Sequence, residues 1–381
     1  MSRPLRIAQL VDSFIVGGGE VQLAALATGL AKEHQVHVGA LKKVGPLLAS
    51  LRDHGIEPEE FRLGGSLAHP KTLIEVQRIA RWLRRIGADV LHAHDFYTEL
   101  LAVPAARLAG CKVVVGRLDL VHWHGKVRHA LLAGVTRMAD HAVANAEAVR
   151  RLLHTEGVRD ERITVIRNGI DLAAFDARSA RALDAALPEG GPVAVLVANL
   201  RHEVKRQEDF LEALALARAQ APKLQGWLVG EGQRQELLMG RAKALGLEGA
   251  AHFLGRRMDV PALLRRATLG VLCSTKEGLS NSVIEGMAAG LPMVVTDVGG
   301  NPELVREGAN GFVVPPQDPP ALAGAMLRVL EDGARARRMG ADGRAFVARE
   351  LTLDAMVSAH AALYRKLLAP AGASARERPA A

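Results

Sequence analysis

Hydrophobic positions along the chain fall into two alternating patterns. Short runs rich in β-branched residues, at Leu5–Leu10, Val36–Leu41, Val90–His92, Lys112–Val115, His141–Ala144 and Ile163–Ile166, are separated by longer segments with apolar residues at helical spacing. This alternation predicts a parallel sheet with helices on both faces. At residues 176–192 the rhythm gives way to Ala, Arg, Asp, Glu, Gly and Pro, which predicts a connection between domains. A second series follows at Val193–Asn199, Trp227–Val229, His252–Leu254, Leu269–Leu272, Met293–Thr296 and Gly311–Val314. The fold class is therefore α/β, with doubly wound Rossmann-like domains at 1–175 and 193–352. Ligands are expected in a cleft at the carboxyl ends of their strands. A last helix within 353–370, with Met356, Leu363, Leu367 and Leu368 apolar, is expected to cross back over the domain junction. Residues 371–381 have a disordered composition.

With 381 residues, 49% of them hydrophobic, the chain can build two cores. Its two cysteines, Cys111 and Cys273, are expected on separate strands in different domains, which excludes a disulfide framework and suits a reduced cytoplasmic compartment. Asp12 interrupts the first apolar run, so the start reads as a strand and loop rather than a signal peptide. No uncharged apolar stretch approaches the ~18 residues of a membrane-spanning helix. The expectation is a cytoplasmic protein, soluble or peripheral on the inner face of the plasma membrane. The formal charge is +8, and residues 1–170 hold 23 Lys/Arg against 17 Asp/Glu. This excess fits a solvated basic surface or an anionic partner such as a membrane surface. Nucleic acid is not expected, because few aromatics are available to stack bases and no reader motif is present. A basic helix carrying Arg78, Arg81, Arg84 and Arg85, with Ile74, Ile79, Leu83 and Trp82 on its apolar side, is the candidate membrane face.

Chemistry concentrates at 277–297, EGLSNSVIEGMAAGLPMVVTD. Glu277 and Glu285 flank the turn Gly278-Leu279-Ser280-Asn281, which leads into a short helix. A turn with free backbone N–H groups at a helix N-terminus favours anions and hydroxyls, and two carboxylates beside it suit a sugar nucleotide. Ser282 to Glu285 also fits a capping box, which need not exclude a binding role. After the first strand, Gly17-Gly18-Gly19 lets a ligand approach the backbone, although tight packing alone would also select it. The GxGxxG fingerprint is absent. Arg201 and Lys205, in the loop after Val193–Asn199, are placed for a departing diphosphate.

These motifs, in this order, resemble the Glu-x7-Glu retaining glycosyltransferases of family four, and the likeness runs from about Leu5 to Leu368. It implies the GT-B fold, two Rossmann-like domains facing across a cleft. A UDP- or GDP-sugar would bind the second domain and a glycan or lipid-linked acceptor the first, in cell-surface polysaccharide synthesis. By the resemblance, Glu277 takes the sugar hydroxyls, the Ser280–Asn281 backbone donates to the donor, Glu285 holds the ribose, and Lys205 with Arg201 stabilises the leaving group. Gly17, Gly18 and Gly19 would face the diphosphate and acceptor, Gly230 the donor, and the backbone at Arg256 the base. Asn168-Gly169 would line the cleft. Two departures stand out. Asn199 occupies the usual arginine position, and the histidine the family often carries after the strand Lys112–Val115 is missing, leaving His94, Asp119 and His122 as candidates for its part. Retention implies front-face displacement without a protein nucleophile. No D-x-D pair of aspartates occurs, so neither a metal nor another cofactor is expected. The rivals are a non-hydrolysing sugar-nucleotide epimerase and a degenerate glycan-binding or partner-binding subunit.

Overall fold

The β-branched runs form two parallel sheets in a computed structural model that describes residues 3–62, 70–120, 125–183, 185–188 and 190–370. In the first sheet the strands are β1 (Arg6–Val11), β2 (Gln35–Ala40), β3 (Glu59–Glu60), β4 (Val90–Ala93), β5 (Lys112–Arg117), β6 (His141–Ala144) and β7 (Ile163–Val165). Their order is β3-β2-β1-β4-β5-β6-β7. The second sheet contains β8 (Val193–Val197), β9 (Gln225–Val229), β10 (Ala251–Gly255), β11 (Leu269–Leu272), β12 (Met293–Thr296) and β13 (Gly311–Val314), ordered β10-β9-β8-β11-β12-β13. Every pairing is parallel.

Each sheet reverses its winding at one place, between β1 and β4 in the first and between β8 and β11 in the second. At such a switch point the flanking connections leave on opposite faces, and a crevice opens beyond the carboxyl ends of the strands. The loops after β1, β4, β8 and β11 are therefore the ones the topology sets aside for ligands. Central strands are buried throughout: β4 and β11 are buried at every position, as wholly covered parallel strands require.

The chain divides into two units, residues 1–168 with 353–381, and residues 169–352. The break falls inside Asn168-Gly169. The stretch 176–192 begins within a helix, Leu172–Ser179, capped by Asp171, whose Oδ1 accepts from Ala174 N–H at 2.9 Å. This helix packs on Val260–Leu264 of its own unit, which is why it is ordered where composition suggested a connection. The final helix, Leu353–Leu368, joins the first unit, where Met356, Ala361, Leu363 and Tyr364 enter the core with Leu5, Ile7, Leu26 and Val114. The 371–381 tail lies outside the described residues, as do Val121 to His124, including His122.

Other differences have local causes. Strand β3 was not expected, since its two residues are both glutamates at a sheet edge. Cys111 and Cys273 sit just beside β5 and β11 rather than on them, and both are free thiols. In the helix Pro70–Ile86, Trp82 faces inward against Phe61, with ring centroids 5.3 Å apart, whereas Ile74 is exposed. Arg78 is paired with Glu75 at 2.8 Å and Arg85 with Glu59, so only part of the expected basic face is free. No helix among the described residues is long and apolar enough to cross a membrane.

Candidate active site

In the second unit the loops after β8 and β11, which flank the switch point, are tied together residue by residue. Thr275 N–H donates to the Val204 carbonyl at 2.9 Å. The buried Cys273 thiol donates to the carbonyls of Arg206 at 3.0 Å and Lys205 at 3.4 Å. Burial raises the Cys273 pKa, which keeps the thiol a donor. Arg206 is in the left-handed region, with φ 49 and ψ 46, a conformation that costs a non-glycine residue roughly 1–3 kcal/mol. It is held there by its ion pair with the buried Asp209 at 2.6 Å. This strained turn ends the short 3-10 segment Glu203–Lys205 and points Lys205 at the other loop.

Lys205 Nζ lies 2.6 Å from Glu277 Oε1, and Ser274 Oγ donates to the same oxygen at 2.6 Å. Two donors on one oxygen fix the rotamer of Glu277, and Oε2, without a hydrogen bond among the described residues, can accept from something else. Ser274 is wholly buried, and its own carbonyl accepts from Thr296 Oγ1 at 2.6 Å. Asn301 Nδ2 continues the chain to the Thr296 carbonyl at 3.1 Å. From the far side, Gly300 N–H donates to the Gly278 carbonyl at 2.8 Å. Gly299 has φ +55, and a Cβ there would overlap the Glu277 carbonyl, so this position requires glycine for two reasons.

Gly278, Leu279 and Ser280 are buried and lead into the helix Asn281–Ala288. Ser280 is the N-cap, and its hydroxyl bonds the Ser282 hydroxyl at 3.1 Å instead of the helix backbone. The capping box at Ser282 does not form, because the helix starts one residue before it and Glu285 is the fifth helical residue. Burial pushes the Glu285 carboxyl up to about 7, with Arg178 opposing the shift.

The remaining candidates of this unit gather on neighbouring loops. Ala198 N–H donates to Val229 O at 3.0 Å, Leu200 N–H to Glu231 O at 2.9 Å, and Gly230 N–H to Gly255 O at 2.9 Å. Gly230, with φ +146, packs where a Cβ would strike the Ala198 carbonyl. Asn199 is turned inward on its own loop: Oδ1 accepts from Arg201 N–H at 3.3 Å, and its carbonyl accepts from Gln207 at 2.9 Å. Arg201 is exposed, and its guanidinium makes no hydrogen bond among the described residues. Arg256 stands 3.8 Å from Glu231, both about half exposed.

In the first unit the loops after β1 and β4 meet at Asp12, whose N–H donates to Asp95 Oδ2 at 2.8 Å. Gly17 is the N-cap of the helix Gly18–Leu30, and the Glu20 carboxylate folds back over it. An anion at this helix end would meet the chain's own carboxylate, whose pKa burial raises. Gly19 lies close to Leu118, the neighbour of the half-buried Asp119. His94 stacks on His92 with centroids 4.0 Å apart, and His92 Nδ1 is 2.7 Å from Tyr364 Oη. Burial lowers His94 to about 3 and His360 to about 4, and puts His92 well below its usual value. His94 is therefore a neutral imidazole at physiological pH, available for hydrogen bonding but not as a cation.

Ser274, Thr296, Gly299, Gly300, Arg206 and Arg178 were not singled out from sequence. The Gly299-Gly300 pair in the turn that follows the strand Met293–Thr296 is the same signal as Gly17 to Gly19 and could have been found by it. Ser274 carries no such mark.

Comparison with known proteins gives this geometry a family. Residues 16–174 match the model for glycosyltransferase family 4, and residues 191–332 that for glycosyl transferases group 1. A glycogen synthase of Mycobacterium tuberculosis is 30% identical over 336 residues, covering 81% of this chain and 78% of its own. The chain belongs to glycosyltransferase family 4. It is also similar to the N-acetyl-alpha-D-glucosaminyl L-malate synthase of Bacillus anthracis, with 25% identity over 93% of this chain and 95% of that one. Among solved structures, Anabaena Alr3699/HepE in complex with UDP and glucose superposes with TM-score 0.84 at 23% identity, covering 95% of this chain and 99% of the other. This glycosyltransferase thus has the GT-B fold.

Proposed function

We propose that this family 4 enzyme transfers a sugar from a UDP- or GDP-sugar, with retention, to a glycan or lipid-linked acceptor in the synthesis of a cell-surface polysaccharide. The second unit holds the donor and the first the acceptor, on the cytoplasmic face of the plasma membrane. The observation that carries the reading is Glu277, with Oε1 held by Lys205 and Ser274 and Oε2 free at the switch point of a parallel sheet.

In this reading Oε2 accepts from hydroxyls of the transferred sugar. The Ser280–Asn281 backbone and the helix end behind it donate to the donor, and Glu285 receives the ribose hydroxyls. As the bond from the anomeric carbon to the diphosphate breaks, negative charge grows on the departing oxygen. Lys205, assisted by the exposed Arg201, meets that charge, the interaction on which a dissociative displacement depends most. The acceptor oxygen attacks from the same face and passes its proton to the departing diphosphate. Two protein cations do the work a divalent metal would otherwise do, so no cofactor is part of the proposal. The similar structure of Alr3699/HepE in complex with UDP and glucose supports the donor class by likeness.

A thermal-shift screen of UDP- and GDP-sugars identifies the donor, since a ligand at a hundred times its Kd adds about 2.7 kcal/mol to the native state. Proton NMR of the first product then reads the anomeric configuration. Stabilisation by one donor and a product of unchanged configuration are expected. A product of inverted configuration would refute retention, and no stabilisation by any nucleotide sugar would refute the donor site.

A further inference from the structure

The helix Lys126–Met138 in the first unit carries three cations, Lys126, Arg128 and Arg137, and no carboxylate. Its inner face is accounted for: Leu132, Ala133 and Thr136 are buried, and Leu132 packs with Phe96. Arg117 fixes this face from below, its Nη2 donating to Thr136 Oγ1 at 2.9 Å, while His129 reaches Glu156 at 3.0 Å. The opposite face is apolar and open. Val127 is 84% exposed, Leu131 49% and Met138 58%. Their spacings, with Gly134 between, set them on a single narrow stripe about 16 Å long. Leu108, 57% exposed, is the penultimate residue of the helix Phe96–Ala109, and its neighbour Arg107 donates to the Met138 carbonyl at 2.7 Å.

Single exposed aliphatic residues need no explanation, but a continuous stripe does. Of the fourteen large hydrophobic residues exposed among the described residues, ten are in the first unit. The charge follows the same division. Residues 169–352 hold 22 Lys/Arg and 22 Asp/Glu, whereas residues 1–168 hold 23 against 17. Arg128, on the rim of the stripe, is exposed and has no ion-pair partner among the described residues. An apolar stripe on a helix with cations beside it and no carboxylates lies flat at the boundary between headgroups and acyl chains of an anionic bilayer.

We infer that the Lys126–Met138 helix docks this enzyme on an anionic lipid surface, with Val127, Leu131 and Met138 entering the boundary and Arg128 meeting headgroups. The surface lies on a different helix from the arginine-rich Pro70–Ile86, where Glu75 and Glu59 already engage two of the four arginines. It sharpens the proposed membrane-side reading and rests on it only for the reason why docking is useful. Binding to lipid itself is independent of the donor.

The test is flotation of the full chain with vesicles of phosphatidylcholine alone and with about a third phosphatidylglycerol, without nucleotide sugar, at low and physiological salt. Wild type is expected to float with the anionic vesicles, more strongly at low salt. Replacing Val127, Leu131 and Met138 together with serine is expected to lower the bound fraction about tenfold, with circular dichroism and melting temperature unchanged. Arg128→Glu is expected to lower binding to anionic vesicles only. The inference is overturned if wild type does not float, or if the triple variant floats as wild type does. A dimer in solution that the triple variant abolishes would also overturn it, by assigning the stripe to a second copy of the chain. Nucleotide-sugar stabilisation in the same samples reports separately on the donor site.

Discussion

In the second unit the loop after β11 is pinned to the loop after β8 by Cys273, Thr275 and the pair Lys205–Glu277, and Ser274 locks the carboxylate from beneath. In the first unit the equivalent loops after β1 and β4 share the Asp12–Asp95 bond. Beside it His92, His94 and His360 are kept neutral by burial, and the Nε2 atoms of His92 and His94 have no partner among the described residues. One unit is electrically balanced, with its charged groups fixed in advance; the other is basic, with apolar residues on its surface. In the proposed reading the same doubly wound architecture serves two needs. Stabilising a departing diphosphate requires charges that need no reorganisation during the reaction, while receiving an acceptor at a surface requires exposed groups.

The largest effect that would break this contrast is expected at Lys205. Lys205→Ala should reduce kcat about a hundredfold or more while changing donor KM much less, because its charge acts mainly as the leaving group develops negative charge. Steady-state kinetics over a range of donor concentrations checks this, and a loss confined to KM would make Lys205 a simple binding residue.

Gly299→Ala comes next. The side chain would collide with the Glu277 carbonyl in a backbone conformation that already disfavours it, so a loss of about 1–3 kcal/mol is expected. Urea unfolding measures it, and activity should fall with it. Wild-type stability and activity together would mean that the Gly299–Glu277 packing is unimportant.

How much of this was legible beforehand follows from chain separation. The strands and the order of motifs could be read because each is local: a β-branched run, a glycine turn, a helix start. Lys205 and Glu277 were both visible, but not that they meet, since 72 residues separate them and only the sheet order brings their loops together. Ser274 was not visible at all, because a serine near a strand end has many ordinary uses. The pairing of the basic helix was hidden by the same chain separation. Arg85 is neutralised by Glu59, a residue 26 positions away on an edge strand too short to show in the pattern.

A smaller effect sharpens the role of that hidden serine. Ser274→Ala removes one of two donors to Glu277 Oε1 and should cost about 1–1.5 kcal/mol, roughly tenfold in kcat/KM. Ser274→Thr, which keeps the hydroxyl, should recover most of it. In a Glu277→Gln background the Ser274→Ala loss should shrink, since the two act as a unit; full additivity in this double-mutant cycle would separate them.

The pH dependence is expected to be the mildest effect. Glu285 titrates near 7 in the folded chain, above its ordinary value, because burial disfavours its charge. The folded state therefore binds more protons than the unfolded state between about pH 4.5 and 7. Its contribution to stability falls as pH rises through that window and is flat above it. If the ionised form receives ribose hydroxyls, nucleotide affinity should rise over the same window. Calorimetric titration of the nucleotide from pH 5.5 to 8.5 checks this, and Glu285→Gln should flatten the curve.

The central claim is that Glu277 holds one oxygen for the protein and keeps the other for the transferred sugar. Its most direct test compares binding of the free nucleoside diphosphate with turnover of the matching nucleotide sugar, in wild type and Glu277→Gln. Unchanged diphosphate affinity with kcat/KM lowered by roughly tenfold to a hundredfold is expected, equivalent to one charge-assisted hydrogen bond of about 1.5–3 kcal/mol. Wild-type turnover by a folded Glu277→Gln enzyme would contradict the claim.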